Sequence, residues 1–231
     1  MSKKKEHLSP TDKLERTIAY TFNNKDLLWR AFKHTSAANK FSPDDHNKKL
    51  AFLGQAILGL LAADLRFHDP QAAANLFSPA IVANAAAAWH LTEFIKTSPA
   101  EAAKLSQPQS RIAGEALTAL VGAIYLDSGE NLPAMKAWLL KNLPPASGTK
   151  NQRDYQQLGP LGTQVLSLLA TDYLYHRFPS LPERELQGIR AGCQEQMLRA
   201  SEYTEEMLAE MYLAGELNTL KQELKAVLTT I

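Results

Sequence analysis

Residues 46–68 read HNKKLAFLGQAILGLLAADLRFH, and residues 158–176 read LGPLGTQVLSLLATDYLYH. In the first stretch, apolar side chains recur at three- and four-residue intervals over residues 50–67. That is the period of a helix with a face in a core. Set side by side from Leu50 and Leu158, the two stretches align without a gap. They agree at Leu50/Leu158, Leu53/Leu161, Gly54/Gly162, Leu58/Leu166, Leu60/Leu168, Leu61/Leu169, Ala62/Ala170, Asp64/Asp172 and His68/His176. Two leucine-rich helices share leucines through composition alone. A shared glycine, aspartate and histidine at fixed offsets point to an internal duplication.

The same helical spacing covers residues 14–32, 81–95, 112–126 and 135–143. Breakers fall between these segments at Pro43, Pro70, Pro79, Pro99, Pro108 and Pro133. Alanine is abundant over 71–88 and favours helix. No segment alternates as a strand does, so the expected fold class is all-α. From Pro144 the chain reads PPASGTKNQ, whose prolines, Ser-Gly pair and polar residues mark a linker. The expected organisation is a domain over 1–143, a linker over 144–154 and a second unit over 155–231. Residues 201–231 read as one long helix capped by Ser201. Leu213, Leu217, Leu220, Leu224, Val227 and Ile231 form its apolar seam. That seam suits either a short coiled coil or packing on its own domain.

The 231 residues are 45% apolar and 21% charged, enough to bury a sizeable core. The single cysteine, Cys193, excludes an internal disulfide and a cysteine-cluster zinc site. No run of about 18 apolar residues is present, so no membrane-spanning segment or membrane partner is expected. The first ten residues carry Lys3, Lys4 and Lys5 with no apolar stretch behind them, unlike a secretory signal. They lack arginine and carry Glu6, a poor match to a transit peptide. The net charge of +1 is low for a protein that grips RNA unaided.

Three stretches together resemble the ribonuclease III family. AFKHTSAANK (31–40) resembles its first block, A-hydrophobic-T-H-x-S-x-A-N-E. HNKKLAFLGQAILG (46–59) resembles its signature helix, commonly HNERLEFLGDAVLG. EALTALVGAIYLD (115–127) resembles its second acidic helix, commonly DALEALIGAIYLD. The resemblance implies the family's helical endonuclease fold in the first unit. The second unit matches part of such a domain, through YQQLGPLGTQVLSLLATDYLYHRFP (155–179) and PERELQGIRAGC (182–193). No second GAIY-like helix is expected after it, so the second copy reads as partial, either a fragment of the fold or a much diverged copy.

The resemblance also implies a reaction, metal-assisted hydrolysis of double-stranded RNA. Two carboxylates four residues apart on the signature helix, and two three residues apart on the later helix, hold Mg²⁺. Such spacings place each pair on one helix face. Carried onto this chain, the four positions are Ala51, Gln55, Glu115 and Thr118. A further acidic position is Lys48. In the second copy the first two positions are Gly159 and Thr163, and the other two read as missing. Neutral oxygens are weak ligands for a hard dication. Loss of RNA cleavage is therefore expected, with no bound metal or cofactor. Asp64 and Asp127 sit at the wrong offsets to substitute.

Other candidates read more simply. His34 and His46 have no partnered nucleophile, and a structural role suits them. Gly54 and Gly162 suit close helix packing rather than phosphate binding. Trp29, Trp89 and Trp138 suit anchoring roles. Lys3, Lys4, Lys5, Lys40, Lys48 and Lys49 are candidates to contact RNA phosphates. The resemblance extends to degenerate relatives in the large subunit of mitochondrial ribosomes. It implies a structural, RNA-associated part of a ribonucleoprotein, bound to structured or ribosomal RNA and to protein partners. A mitochondrial location follows from that likeness, with cytoplasm or nucleus as alternatives. The second expectation is a regulatory or dimerisation partner of an active ribonuclease III subunit, and the third a self-covered pseudo-dimer.

Overall fold

A computed structural model describes residues 9–38, 45–69, 77–143 and 158–229. Lys3, Lys4, Lys5, Lys40 and the proposed 144–154 linker lie outside the described residues. Among those described, the first unit holds α1 (Pro10–Ile18), α2 (Lys25–Ala31), α3 (Lys48–His68), α4 (Pro79–Ala88), α5 (Pro99–Leu105), α6 (Arg111–Asp127) and α7 (Leu132–Asn142). The second holds α8 (Leu158–Arg177), α9 (Glu183–Ala200), α10 (Glu205–Leu213) and α11 (Leu217–Thr229). The described residues contain no strand, only a single bridge between Lys33 and Lys96. The all-α expectation holds.

Local sequence sets the helix ends. Ser9 and Asp12 form a reciprocal capping box at α1, with Pro10 in its first turn. Ser78, Ser110 and Asn131 cap α4, α6 and α7 with side-chain oxygens. By length and composition α3 is apolar enough to cross a membrane. Here it is the core helix instead, with Leu50, Leu53, Ile57, Leu60 and Leu61 fully buried between α6 and α8.

Glycine decides how closely the long helices approach. A Cβ on Gly54 would lie 1.9 Å from the Thr118 carbonyl oxygen, and one on Gly122 would lie 2.3 Å from that of Leu50. Backbones of α3 and α6 therefore touch, side by side as the apolar spacing predicts. The second unit repeats this contact. A Cβ on Gly162 would lie 1.7 Å from the Glu205 carbonyl oxygen. Thus α10 stands against α8 as α6 stands against α3. The second copy is therefore much diverged rather than a fragment, since a helix without the GAIY sequence stands where that helix belongs. Residues 205–213, EEMLAEMYL, fill the place of 118–126, TALVGAIYL, with Tyr and Leu shared.

The tail also departs from expectation. It is two helices, and the first is capped by Thr204, whose Oγ1 accepts from the Met207 N–H at 3.3 Å, not by Ser201. Gly215 has φ +83°, and Gly215 and Glu216 donate back to the Tyr212 and Met211 carbonyls at 3.0 and 2.9 Å. That is a Schellman stop, which needs the left-handed conformation glycine adopts freely. The seam is broken there. Leu220 and Leu224 pack into the chain's own core, while Leu213 is exposed.

The second unit covers the first. Leu161, Val165, Leu166, Leu168 and Leu169 of α8 are all buried, and α8 runs against α3. Lys49, read as a phosphate contact, is also buried. Its Nζ donates to the Pro179 and Phe178 carbonyls at 2.6 and 3.3 Å, beyond the end of α8. Arg30 Nη2 donates to the Tyr175 hydroxyl at 2.9 Å, and Arg190 of α9 stacks over Phe52.

The contact has an internal two-fold character. Tyr125 of α6 faces Asp172 of α8, and Tyr212 of α10 faces Asp64 of α3. Burial first, and then the facing carboxylate, pushes each tyrosine hydroxyl up from its usual value. Each aspartate also meets a lysine from the last helix of its own unit, Lys136 of α7 for Asp64 and Lys221 of α11 for Asp172.

Candidate functional site

The close approach of α3 and α6 brings together the four positions singled out in the sequence. Ala51, Gln55, Glu115 and Thr118 line one cavity of about 620 Å³. Ala51 offers no donor atom. Thr118 Oγ1 turns back onto its own helix and donates to the Gly114 carbonyl at 3.0 Å. Glu115 is the one carboxylate of the four, and Lys48 occupies it, with Nζ 2.5 Å from Oε2. The other oxygen, Oε1, is buried without a hydrogen-bond partner. Lys48 thus has an ion-pair role here in place of a free phosphate contact. In the second copy Thr163, at the place of Gln55, donates through Oγ1 to the Gly159 carbonyl at 3.0 Å, and the place of Thr118, read as missing there, is held by Glu205.

Two further charged residues border the cavity. Arg111 opens α6, and Glu183 comes from the start of α9 in the second unit. Burial raises the Glu183 carboxyl above its usual value, with Lys48 opposing and Glu115 reinforcing the shift. Gln187 donates to Glu183 one helical turn away. Sequence reasoning missed Glu183, because nothing in the local pattern says that α9 folds back over α3.

His34 also lies near this site. Burial lowers its pKa first; Glu115 opposes that shift, Lys48 reinforces it, and Glu101 and Arg111 act as smaller opposing and reinforcing charges. Its Nδ1 accepts from the Ser36 N–H at 3.2 Å and caps the short 3₁₀ turn Thr35–Ala37. His46 Nδ1 accepts from the Lys48 N–H at 3.3 Å at the entry to α3. Asp127, far along α6, accepts from the Asn23 and Asn24 N–H groups at 2.9 and 2.7 Å and ties down the α1–α2 loop. Trp138 donates to the Ile18 carbonyl at 2.9 Å and meets Trp89 edge to face, an anchoring role as read.

These residues do not fit Mg²⁺. A hard dication needs several oxygen ligands with enough negative charge to replace its water. The four positions supply one carboxylate, and its accessible oxygen is paired with a lysine ammonium. The walls are otherwise largely apolar, from Phe52, Leu58, Phe77, Pro79 and Val82.

Comparison with known proteins bears on the fold. The family model described as Ribonuclease-III-like matches residues 24–143. Ribonuclease 3 of Vibrio atlanticus is 36% identical over 129 residues, 52% of this chain and 55% of that protein. Ribonuclease 3 of Shewanella oneidensis is 32% identical over 172 residues, 70% of this chain and 74% of that protein. The crystal structure of the nuclease domain of ribonuclease III from Campylobacter jejuni superposes with a TM-score of 0.51 at 31% identity. It covers 59% of this chain and 95% of that domain. From the match over 24–143 and the fold it superposes on, this chain belongs to the ribonuclease III-like family.

Proposed function

We propose that this chain is a non-catalytic member of its family, acting as a structural, RNA-associated component of a ribonucleoprotein. The observation that carries this reading is the Lys48–Glu115 ion pair in the cavity whose other three key positions are Ala51, Gln55 and Thr118. A metal site tolerates little ligand loss, and this one has a cation built into it. The name ribonuclease 3 belongs to the relatives, and their activity is not carried over to this chain.

The large subunit of the mitochondrial ribosome is the most specific form of the proposal. Affinity would then come from many weak contacts within an assembly, which suits a net charge of +1. The alternative partnership with an active ribonuclease III subunit would need the face of α3 that α8 covers.

Purified full-length protein with Mg²⁺ or Mn²⁺ is expected to leave long double-stranded RNA intact. Cleavage that is lost in Glu115→Ala would falsify the non-catalytic reading. Crosslinking and purification from its native source is expected to recover ribosomal RNA and ribosomal proteins. Recovery of an active nuclease would favour the partnership, and a clean monomer would remove the RNA role. Fractionation of the same source tests the mitochondrial address.

A further inference from the structure

The two units meet in two related polar clusters. In one, Asp64 pairs through Oδ2 with Lys136 and holds Oδ1 3.4 Å from His68 Nε2. In the other, Asp172 has Oδ2 3.3 Å from Lys221 Nζ and Oδ1 3.9 Å from His176 Nε2. The second cluster contains one more group, Glu130 from the turn after α6. Its Oε1 lies 2.9 Å from His176 Nε2 and its Oε2 lies 2.7 Å from Lys221 Nζ. Lys221 therefore holds the outer oxygen of each carboxylate, and both inner oxygens face the same imidazole nitrogen. Asp172 is only 8% exposed, and its Oδ1 has no hydrogen-bond partner.

We propose that Glu130 Oε1, Asp172 Oδ1 and His176 Nε2 form a zinc-binding site where the two units join. One ligand atom from each of the three residues lies within 4.8 Å of the others. Zinc bonds of about 2.0–2.2 Å in a tetrahedron set ligand atoms about 3.3–3.6 Å apart. The distances from Nε2, 2.9 and 3.9 Å, bracket that spacing. One imidazole with two carboxylates suits zinc better than magnesium or calcium, which favour all-oxygen sets. Zinc gives Asp172 Oδ1, which has no hydrogen-bond partner, a direct bond. Lys221 orients the carboxylates from behind, as outer partners of metal ligands do. A cavity of about 450 Å³, bordered by Asp172, His176 and Lys221, gives a water access to the fourth position. His176 itself is half exposed, so the ion has an entry path. The Asp64 cluster shares the aspartate, histidine and lysine, but no third ligand is grouped with it among the described residues. It serves as an internal control.

The test is calorimetric titration of chelator-stripped full-length protein with zinc chloride, alongside His176→Ala, Glu130→Gln and His68→Ala. One zinc is expected to bind wild type and His68→Ala alike. His176→Ala and Glu130→Gln are expected to weaken that event about tenfold or more. Cobalt in place of zinc is expected to give the intense visible absorption of a tetrahedral centre, absent from His176→Ala. Glu130→Gln changes no volume, so it decides the matter if His176→Ala fails to fold. The proposal is overturned if wild type binds zinc no better than millimolar. It is equally overturned if both ligand variants bind as wild type does.

Discussion

The α3–α6 pair and the α8–α10 pair are two versions of one arrangement, and they differ in an instructive way. Each seats a glycine, Gly54 or Gly162, against a carbonyl of the facing helix. Each sends an aspartate, Asp64 or Asp172, to a tyrosine of the other unit. The positions for chemistry agree far less. Ala51 and Gln55 stand in one copy and Gly159 and Thr163 in the other, while Thr118 is matched by Glu205. Packing and interface contacts are common to both units, and the carboxylate set is complete in neither. Seating the two helices against each other and supplying a carboxylate set thus make separable demands on them.

One methyl group added at each glycine tests whether the two helix pairs are built alike. In Gly54→Ala and Gly162→Ala the new Cβ would sit 1.9 and 1.7 Å from a carbonyl oxygen, so the helices must part. Each is expected to lose about 3 kcal/mol or more, despite the roughly 1 kcal/mol that alanine gains over glycine in a helix. Denaturant melts of the full chain measure both. If Gly162→Ala is mild, the α8–α10 pair is not built like α3–α6 and the correspondence fails.

A second test removes one member of the comparison. Residues 1–147 alone would expose the face of α3 that α8 covers. Leaving five side chains like those of α8 without a surface forgoes about 1.5–3 kcal/mol each, large beside a net stability of roughly 5–15 kcal/mol. The truncated protein is expected to self-associate or melt well below the full chain, as light scattering and calorimetry would report. A soluble monomer of unchanged heat stability would show that the cover is dispensable.

The same contrast explains what was legible in the sequence. The α3 helix and its copy α8 could be read directly, because their periodicity, glycine and aspartate all lie within one unbroken stretch. The role of Gly54 was legible as close packing. The α10 helix was not, because Glu205, Glu206 and Ala209 replace Thr118, Ala119 and Gly122 and only two of nine residues agree. Its identity comes from where Gly162 places it. The break at Gly215 was hidden by a leucine spacing that runs across it. Glu183 at the cavity and Glu130 beside His176 are tertiary facts, since each belongs to a different unit from the residues it meets. Lys49 read as a surface charge because the carbonyls that bury it lie about 130 positions away.

Cys193 offers a smaller readout, confined to the second unit. It is buried in α9, and burial pushes its thiol up to about 11. Held that far above its ordinary value, the thiol yields roughly a hundredfold less of the reactive thiolate at neutral pH. Alkylation of the native chain is expected to be slower than that of the unfolded chain by at least this factor. In Gly162→Ala, which loosens the helix pair beside it, labelling is expected to speed up more than in Gly54→Ala. Equal labelling rates would mean the two units open together as one body.

The mildest expected effect comes from a glycine with no neighbour. Gly188 lies inside α9, and a Cβ there would meet nothing within 4 Å. No packing argument keeps glycine at this place, so only its backbone freedom matters. That freedom weakens a helix interior by roughly 0.5–1 kcal/mol relative to alanine. Gly188→Ala is therefore expected to stabilise the chain by about that amount, opposite in sign to Gly54→Ala and Gly162→Ala. The three substitutions are chemically identical and differ only in what the methyl group meets. Melting curves for all three in one buffer isolate that difference. If Gly188→Ala also destabilises, helix glycines here are governed by something other than contact, and the reading of Gly54 and Gly162 as matched seats loses its basis.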